Sequence, residues 1–157
     1  MAITTLNQII ANLSEIAVQH RQLHNFKFGN PAEFYTSGVA DCAEMWCQVN
    51  TATVSRNTMT YSFRVWVLDG VKRGELNENE VLSDMALIAN DIIAQLRHPD
   101  YDWVIDFADN QTLNFFTEYS PYKWAGVWFD VDIELKYPNN RCAIPFITEP
   151  TKYPIIT

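Results

Sequence analysis

The stretch at residues 125–136, AGVWFDVDIELK, decides the fold. Val127, Phe129, Val131, Ile133 and Leu135 alternate with Trp128, Asp130, Asp132, Glu134 and Lys136. A period of two is the mark of a strand whose faces meet different surroundings. One face is core. The other carries three successive carboxylates, spaced about 7 Å apart along an extended chain. Carboxylates so placed repel one another, so that face calls for opposite charge, a partner surface or open water.

Working outward, residues 112–119 and 102–107 read as further strands. Residues 59–68, MTYSFRVWVL, form another, with Tyr61, Phe63, Val65 and Val67 on one face, followed by a turn signal at Asp69-Gly70. Met45, Cys47 and Val49 alternate in a fourth region, while residues 26–31 are punctuated by Gly29 and Pro31 as a turn. Two helices are expected. The first carries Leu6, Ile9, Ile10, Leu13, Ile16 and Ala17 at helical spacing, with Thr5 and Gln8 placed as a capping box. The second runs over about 78–97 on a stripe of Val81, Met85, Ile88, Ile92 and Leu96, broadened by Leu82, Ala89 and Ile93. Asn77 and Glu80 suggest a second capping box, and Pro99 ends the helix. The order predicts an α+β fold: an antiparallel sheet of four to six strands with both helices on one face. Residues 1–137 form this domain, and 138–157, with Pro138, Pro145, Pro150 and Pro154, read as an extended arm.

The bulk composition narrows the function. At 157 residues and 48% hydrophobic content the chain fits one domain with an ample core. A formal charge of −8 argues against tight non-specific nucleic-acid binding, which needs a basic footprint. No apolar run is long enough to span a bilayer, and the N-terminal residues lack the pattern of a signal peptide. Cys42, Cys47 and Cys142 have no zinc spacing and read as small apolar residues in a reducing compartment.

Catalytic motifs are sparse. His20 and His24 stand four apart without a third ligand, and neither a nucleophile elbow nor a glycine-rich phosphate loop is present. The enzyme alternative is a Mg²⁺-dependent nuclease of the PD-(D/E)xK type, through Pro99-Asp100 and Glu134-Leu135-Lys136. Its weakness is that Asp100 follows a helix and that the acidic balance leaves nothing basic to hold the phosphates beside the site. No cofactor is expected. Large aromatics are more informative. Trp66 and Trp128 fall on the polar-facing side of their strands, Phe116 is out of phase with Leu113 and Phe115, and Tyr122 and Trp124 crowd the next segment. Aromatics on a wet face concentrate at interfaces, whereas the plainer reading is a minor second core beneath the arm. A monomeric cytoplasmic adaptor using this face is a further alternative.

The short first helix, residues 23–29 (LHNFKFG) before Pro31-Ala32-Glu33-Phe34, and the strand YSFRVWVLD at 61–69 carry a resemblance. So do the helix segment NENEVLSDMALIANDIIAQL at 77–96 and the closing Pro138 and Cys142-Ala143-Ile144-Pro145. In this order, over roughly residues 3–145, the chain resembles the small neck and tail proteins of tailed bacteriophages. In style it is similar to those of crAss-like phages infecting Bacteroides, and by fold to tail terminator or tail completion proteins. The resemblance implies a virion protein, made in the host cytoplasm, that closes into a homo-oligomeric ring, hexamer or dodecamer. Adjacent neck or tail rings would be its partners, with DNA passing through the lumen unbound and no membrane contact. The family has no fixed site motif to carry over, and the long arm departs from its most compact members, leaving open whether the chain ends a tail or bridges two neck rings. On this reading Asp130, Asp132 and Glu134 face the channel, repelling phosphates, or pair with Arg64, Lys72 or Arg73 of a neighbour, or face plain solvent.

Overall fold

A computed structural model describes residues 5–30, 33, 43–72, 76–105, 110–117 and 124–136. The elements are α1 (Leu6–Gln19), β1 (Asn25–Phe28), β2 (Glu44–Val54), β3 (Thr58–Gly70), α2 (Glu78–Leu96), β4 (Val104–Ile105), β5 (Asn114–Phe116) and β6 (Trp124–Lys136). The fold is α+β, as the pattern predicts. The strands form one sheet in the order β1-β2-β3-β6-β4, and β5 also pairs with β6. All pairs are antiparallel except β1 with β2, so the sheet is mixed.

That parallel pair is a correction to the sequence reading. The expected turn at 26–31 begins as a strand, with Asn25–Phe28 in register against residues 44–47. Phe26 and Phe28 alternate as strand residues do, and the break comes at Gly29, whose φ of 151° is a value that side-chain-bearing residues rarely adopt. The length of the 29–43 connection is what a parallel neighbour requires.

Both helices start as amphipathic segments and pack on the same side of the sheet. In α1 the capping box is present, Thr5 Oγ1 accepting from the Gln8 backbone N–H and the Gln8 side chain accepting from Thr5 N. In α2 the expected box is not formed. Asn77 Oδ1 accepts instead from the backbone N–H of Lys72 at 2.7 Å, so the side chain fastens the preceding loop, while Glu78 and Glu80 favour the helix N-terminus by charge. Ile9, Leu13, Ile16 and Ala17 of α1 join Val81, Met85, Ile88, Ala89, Ile92, Ile93 and Leu96 of α2 in one buried cluster with the inward sides of the strands. Val127, Phe129, Val131, Ile133 and Leu135 are all buried there, as their alternation predicts. Cys47 is also wholly buried, and that burial pushes its thiol far above the ordinary range, as suits a small apolar role. Cys42, Cys142 and the proposed arm lie outside the described residues. Among the described residues no helix is long and apolar enough to cross a membrane.

Candidate functional site: the sheet face opposite the helices

With both helices on one side, the other side of the sheet displays the remaining half of every strand. Register turns it into cross-strand rows. Lys27, Trp46, Trp66, Trp128 and Asn114 form one row across β1, β2, β3, β6 and β5. Next come Gln48, Arg64 and Asp130, then Thr51, Ser62 and Asp132, then Thr53, Thr60 and Glu134. Side chains opposite one another on antiparallel strands touch, so each row is a physical unit.

The first row corrects the expectation of an exposed aromatic patch. Trp66 is only 5% exposed and Trp124 1%, and with Trp46 and Leu68 they make a second small core, flanked by half-buried Phe116 and Trp128. The parity of Trp66, Trp128 and Phe116 is as read from the sequence, but most of this surface is buried within the chain. Trp66 meets Phe116 edge-on at 5.3 Å between ring centroids and Trp128 at 5.8 Å, favourable aromatic geometries. A cation sits over the ring at each flank: Lys27 Nζ lies 5.2 Å from the Trp46 centroid and the Arg64 guanidinium 3.8 Å from that of Trp128. Tyr122 lies outside the described residues.

The acidic ladder does not stand uncompensated. Arg64 donates through Nε at 2.8 Å and Nη2 at 3.1 Å to the two carboxylate oxygens of Asp130, a bidentate pair. Ser62 donates its hydroxyl to Asp132 Oδ1. Arg64, considered above as a neighbour's partner, is thus engaged within its own chain. Glu134 stands across from Thr60, and its backbone N–H donates to the Trp103 carbonyl at 2.9 Å. With Asp130 half exposed, the ion pair contributes only about 0.2–1 kcal/mol to stability. Its stronger effect is geometric, holding the guanidinium over the Trp128 ring.

The sequence reading missed a buried ion pair at the β1 end of this face. Glu44 is 2% exposed, its Oε1 accepting from Asn25 Nδ2 at 3.0 Å and its Oε2 lying 3.3 Å from Lys27 Nζ. The Lys27 contact is an ion pair whose angle falls short of a hydrogen bond, so Oε2 has charge compensation without a directed donor. Glu44, Trp46 and Gln48 share one parity, which was the available signal. Of the expected nuclease residues, Asp100 lies in a short 3-10 turn, Pro99–Tyr101, and is 3.2 Å from His98 Nδ1. Glu134 is on β6, and no hydrogen bond or ion pair among the described residues joins the two carboxylates to a common partner. Nor do the described residues contain a group of three His, Cys, Asp or Glu placed to hold a metal ion. His20 and His24 also separate: His20 Nε2 meets Asp91 Oδ2 at 3.2 Å, bridging α1 to α2.

Asp69, near the end of β3, has its carboxyl pushed up by burial, with the like charges of Asp84 and Glu44 adding to this. The Gly70 N–H, at 2.7 Å, and His24 hold it down. A carboxyl raised by folding is one whose ionised form the fold disfavours. Its charge therefore lowers stability above the raised value, and that loss disappears as pH falls below the unfolded value near about 3.9. Asp69→Asn keeps an oxygen for the Gly70 N–H and removes the charge. The variant is expected to unfold at higher urea than the parent at pH 7 and to lose this advantage near about pH 3. Equal midpoints at pH 7 would show that the charge is accommodated at no cost. Compared with known proteins, the sequence shows no significant match to any family model or to any curated protein.

Proposed function

We propose that this chain is a structural protein of a tailed-phage particle, closing with copies of itself into a ring at the head–tail junction or the tail end and leaving a channel for DNA. The observation that carries this reading is the division of the sheet. One face packs against both helices over its central strands, while the other runs from a cation-flanked aromatic core into a polar strip of Thr58, Thr60, Ser62, Asp132 and Glu134. A ring subunit needs two unlike surfaces for a repeating heterologous contact, and a lumen wall needs a surface to which DNA does not adhere. Hydroxyls and carboxylates without a surplus of cations meet the second need, because phosphate binding depends on lysine and arginine releasing counterions. Within the ladder Asp132 and Glu134 carry the proposal, since Asp130 is neutralised by Arg64. A monomeric adaptor is the competing reading.

The test is made in purified particles, where the chain is expected in a fixed copy number matching a ring. Asp132→Lys with Glu134→Lys is expected to leave assembly intact but to slow DNA release several-fold at low salt, with recovery as salt is raised. Absence of the chain from particles rejects the ring. Release unaffected at every salt concentration takes the strip away from the channel while leaving the ring standing.

A further inference from the structure

The outer edge of β2 is open beyond its first turn of pairing. β1 covers only residues 44–47, and among the described residues no strand pairs with the outer side of β2 after Cys47. Residues 50–54 are all exposed, including Val54 at 63%. Strand edges of this kind invite another chain, and proteins usually block them with charge or proline. Here residues 45–55, MWCQVNTATVS, contain neither; the one irregularity is the register shift between Val49 and Thr51. Thr and Val are strong strand formers, so the edge is well suited to pairing.

Which groups point outward follows from the bonds already made. The Ala43 and Cys47 carbonyls accept from His24 N and Gly29 N on the β1 side, so odd-numbered residues turn outward there. The extra residue at the bulge exchanges the parity. Ala52 and Val54 therefore turn their N–H and C=O outward, while Ser55 donates inward to the Thr58 carbonyl at 2.8 Å.

We propose that this edge receives residues 146–157 of a second copy, as an added antiparallel strand. Within FITEPTKYPIIT, Pro150 and Pro154 have the same parity. If they face away from β2, the residues facing it are Ile147, Glu149, Thr151, Tyr153, Ile155 and Thr157, all with an N–H to give and mostly β-branched or aromatic. Pairing of this kind sets Tyr153 and Ile155 beside Ala52 and Val54 on the helix side, covering exposed apolar surface. The missing proline donors lie on the new outer edge and stop further strand addition. Residues 50–54 are exposed within one chain, which leaves this edge open to a second copy. This deepens the ring reading and rests on it, naming where one subunit holds the next.

Parity supplies the test, with the full-length chain throughout. Tyr153→Pro removes an inward N–H, whereas Lys152→Pro adds a proline to the outward side. In assembled wild-type and Lys152→Pro protein the Ala52 and Val54 amides are expected to exchange about tenfold more slowly, or slower still, than in Tyr153→Pro, which sediments at lower mass. Equal effects of the two prolines, or unprotected amides in the wild-type assembly, overturn the proposal. Protected amides in a wild-type monomer overturn it as well, since the strand would then be the chain's own. If Tyr153→Pro assembles normally, strand addition fails while the ring reading survives. A wild-type chain that stays monomeric with unprotected amides also overturns strand addition, and the copy number in particles still decides the ring.

Discussion

Gly126→Ala is expected to cost about 3–5 kcal/mol and to lower the unfolding temperature by roughly 10 °C. Gly126 lies opposite Leu68 in the longest pairing of the sheet, where β6 runs against β3 from Trp124 to Lys136. A Cβ added there would collide with the Val67 carbonyl oxygen and stand 2.8 Å from Leu68 Cα. Both obstacles are backbone, so no rotamer change relieves them; the strands must separate locally. Separation is costly because Trp66 and Trp124 close the second core on that same face, while Val127 and Phe129 anchor β6 to the helices on the other. Neither side has slack, as is general for close-packed interiors. Thermal and urea unfolding measure the effect. A loss below about 1 kcal/mol would mean that the β3–β6 pair is more pliant than its register suggests.

The parts of the fold legible in the sequence are those fixed by local periodicity. Val127 to Leu135 announce a core face because the period of a strand is two, and the stripes of Ile9 to Ala17 and Val81 to Leu96 announce helices for the corresponding reason. Relations between distant segments are not written locally. The carboxylates of β6 are visible in the sequence, but their partners Arg64 and Ser62 are some seventy residues away, and only register brings them opposite. That register depends on strand twist and the bulge near Asn50, which hydropathy does not encode. Trp66 shows the same limit. Its parity is legible in the sequence, yet its polar-facing position is buried because Trp46, Trp124 and Phe116 converge on it from three other strands. β1 reads as a turn in the sequence because four residues flanked by Gly29 and Pro31 give too short an alternation to outweigh punctuation.

Lys27→Met is expected to destabilise the chain by about 3 kcal/mol, although Lys27 itself is on the surface side of β1. The loss falls on Glu44. Its carboxylate is almost wholly buried beside Trp46, with Asn25 serving one oxygen and the Lys27 ammonium compensating the other. Methionine keeps an unbranched aliphatic stem, so packing is largely retained and only about 0.5–1 kcal/mol of cation–π attraction to Trp46 is lost directly. The remainder comes from leaving a buried charge without its counter-ion. Removing that charge as well should reverse most of the loss: Lys27→Met with Glu44→Leu is expected within about 1 kcal/mol of the parent, because replacing both members of a buried pair by apolar residues is often neutral. Asn25 is exposed, and water can take over its amide donors. The double-mutant cycle from urea unfolding then gives a coupling of about 2 kcal/mol or more between two residues that both lie on the β1–β2 edge. Additive single effects would instead mean that Glu44 is stabilised by Asn25 alone. In that case β1 would be held to the sheet by its backbone pairing, with the ammonium over Trp46 as ornament on a contact already complete.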